Sequence, residues 1–212
     1  MSIAVGTPCR PRFDIMPPMK STTNAIADEE SRVAALSRPH LPLPQLALLE
    51  VGADAARAAR AKAIAEKAWP PTYSGIIPAA QIPYMIERMY SPSAIREAAA
   101  DGTPYYLLQA DGADAGVCSI DLRPAADGSS ELHKIYLLPD WWGRGVGAWL
   151  LAELCRRAKE AGATRVWLRV NKRNVRAQKA YRAAGFANVR ALCTDIGGGF
   201  VMDDFVFERR LP

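Results

Sequence analysis

Hydrophobic and polar positions keep no sustained period through residues 1–43 and fall into regular patterns from residue 44 onward. Leu46–Val51 is a short apolar run of strand length. Asp54 stands where a helix cap is expected, ahead of an alanine-rich stretch that predicts a helix to about Lys67, with Pro70-Pro71 stopping it. Ile82–Tyr90 and Pro92–Ala100 predict two short helices, the second with Ser91 as cap and proline at its first position. Tyr105–Gln109 and Gly116–Leu122 predict strands joined by an Asp111-Gly112 turn, and Leu132–Leu137 predicts another after the polar loop Pro124–Ser130. Val146, Leu150, Leu154, Ala158 and Ala161 recur at three- and four-residue spacing, so Gly145–Ala161 predicts a long amphipathic helix that Gly162 ends. Arg165–Val170 predicts a strand, Asn174–Ala184 a helix closed by Gly185, and Ala187–Thr194 and Val201–Glu208 two last strands.

That order predicts a mixed sheet with helices packed on its faces, an α/β (α+β) domain over residues 44–212. Residues 1–43 carry Pro8, Pro11, Pro17 and Pro18 at their start and few aliphatic clusters. Such a stretch buries too little apolar surface to offset its ordering entropy, so a flexible proline-rich extension is expected there.

Composition narrows the function classes. Of 212 residues, half are hydrophobic and 23% are charged, as in soluble globular proteins. No stretch approaches the roughly 20 apolar residues of a membrane span. The net charge of +5 is spread along the chain, with no run of four basic residues and no basic-aromatic nucleic-acid motif. No nucleic-acid partner is expected, and a mild positive field suits an anionic ligand instead. Cys9, Cys118, Cys155 and Cys193 form no CxxC pair, and only His40 and His133 could join them, so no metal site is expected. With no charged and apolar leader pattern at the start, a reduced cytoplasmic setting is expected.

The chemistry concentrates where the Leu132–Leu137 strand runs through Trp142-Gly143-Arg144-Gly145-Val146-Gly147-Ala148 into the long helix. Alternate glycines open the backbone N–H groups to close approach, and the helix start adds unpaired N–H groups and the positive end of its dipole. Together they suit phosphate, with Arg144 as an added cation. The loop is neither a Walker loop nor the dinucleotide fingerprint, because it lacks Gly-Lys-Ser/Thr and the third glycine falls too early. Further on, Asn174, Ala177 and Tyr181 share one helix face ahead of Gly185-Phe186. By themselves, Asn174 reads equally as a helix cap and Tyr181 as a core aromatic.

In this order the two elements resemble the GCN5-related N-acetyltransferase (GNAT) superfamily, over roughly Leu46–Leu211 and most clearly over Leu132–Phe186. The resemblance implies a mostly antiparallel twisted sheet of about seven strands with helices on both faces, and acetyl-CoA as co-substrate. It further implies that Ile135, Tyr136 and Leu137 pair their backbone with the pantetheine arm. Gly143, Arg144, Gly145, Val146, Gly147 and Ala148 would hold the pyrophosphate, Asn174 would hydrogen-bond the cofactor, and Tyr181 would protonate the departing thiolate. Where the superfamily usually places Gln or Arg, this chain has Trp142, which removes a side-chain contact but leaves the backbone cradle.

Thr72–Ile77, Tyr84-Met85 and Met89-Tyr90-Ser91 resemble a substrate-side segment of bacterial members, which implicates Tyr73, Tyr84 and Tyr90. Phe200–Phe205 resembles polyamine N-acetyltransferase-like proteins and brings in Asp203. Asp203 and Asp204 face opposite sides of a strand, so one of them at most turns inward. The attacking amine needs a base, directly or through water. Glu131 and His133 alternate with Ile135 and Leu137 and are expected on one strand face. Imidazole ordinarily titrates near about pH 6.5, suited to this role, whereas Glu131 would need burial to raise its pKa.

The resulting expectation is direct acetyl transfer in a ternary complex to a primary amine of a small polyamine-like or amino-acid-like molecule. A protein or peptide acceptor, or a sensor that binds acetyl-CoA without turnover, are the alternatives. Apolar residues in the last strands could support a homodimer.

Overall fold

The computed structural model describes residues 43–212; the stretch read as a flexible extension otherwise lies outside the described residues. The elements run β1 (Leu46–Glu50), α1 (Ala55–Tyr73), α2 (Gln81–Tyr90), α3 (Pro92–Ala100), β2 (Tyr105–Ala110), β3 (Ala113–Ile120) and β4 (Ser129–Leu137). A 3-10 turn (Pro139–Trp141) leads to α4 (Val146–Glu160), β5 (Arg165–Asn171), α5 (Val175–Ala183), β6 (Ala187–Gly197) and β7 (Phe200–Arg210). The strands form one seven-stranded sheet in the order β1-β2-β3-β4-β5-β7-β6, antiparallel except for the β4–β5 pair.

Local chemistry accounts for most boundaries. Asp54 caps α1 by accepting from the N–H groups of Ala56 and Arg57, and Ser91 caps α3 through Ala94 N–H. Asp111 and Gly112 both take positive φ, 50° and 80°, as the two central residues of a tight hairpin turn do.

One boundary corrects the sequence expectation: α1 runs on past Lys67 to Tyr73, with Pro70 and Pro71 inside it. Those prolines remove donors to the carbonyls of Glu66 and Lys67, which are exposed residues whose carbonyls water can satisfy. The last turn is held by Thr72 Oγ1 donating to Ala68 O (2.7 Å), by Ser74 N–H donating to Pro70 O, and by burial of Trp69.

The alternation of strand residues builds a core on each face of the sheet. Tyr105, Leu107 and Val117 pack with Ala61, Ile64, Trp69, Ile86 and Ile95 from α1–α3. Tyr106, Leu108, Cys118 and Ile120 pack with Leu150, Leu154 and Ala158 of α4, and α5 adds Ala177 and Tyr181.

Strand β4 departs from a regular ladder in two places. Its pairing with β5 covers only Ser129–Leu132 against Arg165–Leu168, while β3 pairs with it up to Leu137 and β7 pairs with β5 up to Asn171. Beyond Leu132 the two parallel strands therefore part. The β3–β4 register also shifts, Ile120 facing Leu132 but Ser119 facing Lys134, so His133 is an extra residue in a bulge. The bulge overturns the expected single face for Glu131, His133, Ile135 and Leu137. Leu132, Ile135 and Leu137 join the α4 core, whereas Tyr136 packs with the α1–α3 core and Lys134 reaches over the Tyr105 ring. Glu131, next to Leu132, is turned away from Ile135 and Leu137 by the one-residue change of phase.

On β7, Asp204 is buried with Oδ1 lacking a hydrogen-bond partner. Burial pushes its carboxyl up to about 6, with Arg169 and Lys172 opposing the shift. The ionised form is thus disfavoured in the fold: the contribution is full below the ordinary carboxylate range and is lost as pH rises through about 6. Asp204→Asn should therefore be more stable than the wild type by about 3 kcal/mol at pH 8, with the gap narrowing below about pH 6 and closing near about pH 4, measured by urea denaturation across pH.

Candidate active site

The parting of β4 and β5 opens a cavity of about 590 Å³ between the two strands, the glycine loop and α5. Gly143 and Gly145 adopt left-handed φ of 73° and 79°, which a side chain would strain, and Gly145 forms the N-cap of α4. The loop thereby turns into the helix with the first N–H groups of α4 unpaired within it. Gly143, Gly145, Gly147 and Ala148 line the cavity; Val146 is fully buried in the core, and Arg144 lies outside the lining, its guanidinium 5.2 Å from the Trp141 ring.

Trp142, the departure from the usual motif, has a structural role. Its indole N–H donates to Leu137 O at 3.0 Å. The guanidinium of Arg176 lies 3.4 Å from the ring centroid, a close cation–π contact that holds a cation from α5 beside the loop. Arg176 went unnoticed in the sequence, where nothing distinguished it from its arginine neighbours.

The open edge of β4 faces the same space. Leu138 N–H donates to Ala115 O on β3. Backbone groups of an antiparallel strand alternate between its two neighbours, so Tyr136 turns its own toward β3, while Ile135 and Leu137 turn theirs to the open edge. Of the three residues expected to pair with an extended ligand, Ile135 and Leu137 have that orientation, and the Leu137 carbonyl is already taken by Trp142.

Asn174 caps α5 through Ala177 N–H (3.1 Å) and also lines the cavity. One face further along, Tyr181 lines it too, its ring set against Phe186 and Phe207. Burial raises the Tyr181 phenol well above its ordinary value, and the neighbouring Tyr73 hydroxyl adds to this, so it stays protonated at neutral pH. On the α1 side, Tyr73 and Tyr136 share a hydroxyl–hydroxyl hydrogen bond of 2.9 Å, and burial pushes Tyr73 up to about 12.

His133 lines the cavity at the bulge. Its Nε2 lies 2.8 Å from Asp121 Oδ1 and its Nδ1 3.7 Å from Glu131 Oε1. Glu131 does not line the cavity; it accepts from Arg169 Nε (2.9 Å) and is ion-paired with Nη2 of the same guanidinium at 2.7 Å, and Arg169 does line the cavity.

Other expected substrate contacts fall elsewhere. Tyr90 is fully buried in the α1–α3 core, edge-on to Trp69 and Tyr105. Tyr84 donates to Ile196 O at 2.6 Å and stacks on Phe200, tying α2 to the β6–β7 hairpin. Asp203 pairs with Lys172 at a smaller hollow of about 200 Å³, so of the two aspartates it is Asp204 that turns inward. Among the described residues no cluster of three or more His, Cys, Asp or Glu could hold a metal, and no helix is long and apolar enough to cross a membrane.

An uncharacterised N-acetyltransferase of Mycobacterium tuberculosis is 40% identical over 85 residues, 40% of this chain and 54% of the relative. The chain thus spans about half the length of the curated relatives it matches. Among solved structures, PaiA N-acetyltransferase of Thermoplasma acidophilum, in complex with coenzyme A, shares the fold with a TM-score of 0.63 at 20% identity, over 79% of this chain and 99% of that one. A GCN5-related N-acetyltransferase of Rhodopseudomonas palustris gives 0.62 at 18% identity, over 81% and 98%. The profile of the acetyltransferase (GNAT) family matches residues 62–186, more than half of the chain, from within α1 through the glycine loop and past Tyr181. The chain belongs to the acetyltransferase (GNAT) family.

Proposed function

We propose that this chain moves the acetyl group of acetyl-CoA to a primary amine of a small molecule, polyamine-like or amino-acid-like, by direct attack in a ternary complex. The observation that carries the reading is the single cavity that joins the glycine loop, the open edge of β4 and the phenol of Tyr181. The residues fit the co-substrate. Loop N–H groups and the α4 start suit a pyrophosphate, Arg176 brings a cation to the same mouth, and the free edge at Ile135 suits an amide-bearing arm. When bound, acetyl-CoA supplies the activated acyl group.

The protein's own part is proton management and charge stabilisation. Backbone N–H on the splayed edge of β4 polarises the thioester carbonyl. Tyr181 delivers its phenolic proton to the departing sulfur. His133 or Glu131 removes the amine proton. Tyr73, close to Tyr181 and on the α1 side, borders the entry of the acceptor, and the buried Asp204 carboxyl, which does not line the cavity but acts electrostatically on Tyr73, favours a cationic acceptor. A small acceptor is supported by the polar groups converging on a concave cavity. Cys118 and Cys155 are buried, and burial raises both thiols, which supports packing roles. A homodimer across the outer strand β6, where Val189 is exposed, belongs to the same reading.

An amine panel with acetyl-CoA, monitored by free thiol release, tests the proposal. Turnover with a polyamine or amino acid is expected; tight coenzyme A binding without turnover on small amines or peptides would establish a sensor instead. Tyr181→Phe should lower kcat about a hundredfold with KM for acetyl-CoA little changed, since only proton delivery is removed. Arg176→Ala should do the reverse. Loss of one charge-assisted phosphate contact, worth about 1.5–3 kcal/mol, raises KM for acetyl-CoA roughly tenfold to a hundredfold with kcat nearly constant.

A further inference from the structure

We infer that Asp121 is a positioning residue that holds His133 with Nε2 protonated and Nδ1 free, making Nδ1 the atom that takes the proton of the attacking amine. The inference rests on the acetyl-transfer reading and decides between its two base candidates.

The geometry comes from three elements. Asp121 sits directly after β3 and is anchored on both oxygens: Thr103 Oγ1 donates to Oδ1, and Glu131 N–H donates to Oδ2 at 3.3 Å. Its remaining near partner is His133 Nε2, 2.8 Å from Oδ1. Burial raises the Asp121 carboxyl, but the hydrogen bonds from His133 and Thr103 outweigh it and bring the net shift below the ordinary value. An ionised carboxylate can only accept, so Nε2 must carry the hydrogen. A neutral imidazole then has its lone pair on Nδ1, and His133 lines the cavity.

Glu131 is the weaker base because its Oε1 accepts from Arg169 Nε and is ion-paired with that guanidinium, which keeps it engaged. It lies instead 3.7 Å from Nδ1, close enough to favour the positive charge that His133 acquires. The other charged group facing this cluster is Lys134, whose burial pulls its ammonium down to about 8 while Glu131 and Asp121 oppose the shift.

The step balances. The amine nitrogen bonds to the acetyl carbon and gives its proton to Nδ1 as the carbon–sulfur bond breaks. Tyr181 gives its proton to sulfur, and solvent then takes the proton from His133 and restores that of Tyr181. The imidazolium is held between the carboxylates of Asp121 and Glu131.

Asp121→Asn tests the assignment, because an amide can donate to Nε2 and stabilise the other tautomer. Expected are a loss of about a hundredfold in kcat, an unchanged KM for acetyl-CoA, and an acidic limb of the kcat/KM profile moved to lower pH. Asp121→Glu should recover part of the rate. His133→Gln combined with Asp121→Asn should cost little more than either alone, because the pair acts as a unit. Nitrogen-15 histidine NMR, assigned with His133→Gln against His40, should show Nε2–H in the wild type and a mixture in Asp121→Asn. That spectrum needs no turnover, so it stands even if no acceptor amine is found. Additive losses, an unmoved pH profile in Asp121→Asn, or Nδ1–H in the wild-type spectrum would each overturn the assignment.

Discussion

The structure turns on the separation of two parallel strands. β4 and β5 are bonded from Ser129 to Leu132 and then diverge, each kept straight by its other neighbour, β3 or β7. Parting parallel strands leaves backbone donors and acceptors without partners, a cost that a sheet interior does not otherwise bear. Here the edge of β4 stays open, and the wedge between the strands becomes the cavity. The glycine loop, α5 and Tyr181 have their meaning only because they border that wedge.

The bulge at His133 is the second consequence of the same strand. It sits one residue beyond the last β4–β5 pair and reverses the phase of the side chains from Lys134 onward. Leu132, Ile135 and Leu137 all reach the α4 core, and the polar Glu131 and His133 gather with Asp121 and Arg169 instead. One inserted residue thus keeps a hydrophobic floor under the cavity and places a titratable cluster at its edge.

At the opposite end of the cavity, the loop reaches its form through conformations that only glycine adopts readily at 143 and 145. Trp142 loses the side-chain contact usual at its position, yet its ring is pinned to Leu137 O and carries Arg176. The cation that lines the cavity beside the loop is therefore Arg176 of α5.

The strand and helix order, the caps at Asp54, Ser91 and Asn174, the glycine loop and the Asn174–Tyr181 face were all readable from spacing, because each rests on residues a few positions apart. The helical run through Pro70-Pro71 was not, since burial of Trp69 outweighed two missing donors. Nor were the Asp121–His133 pair, the Arg176–Trp142 stack, the inward turn of Asp204 or the burial of Tyr90. A bulge is invisible to a two-residue period, and contacts between distant segments depend on which strands the sheet makes neighbours. Local chemistry therefore determined the elements and the glycine loop from the sequence alone. Tertiary structure decided which side chains share the cavity, because strand register and the parting of β4 from β5 are set by packing across the whole sheet.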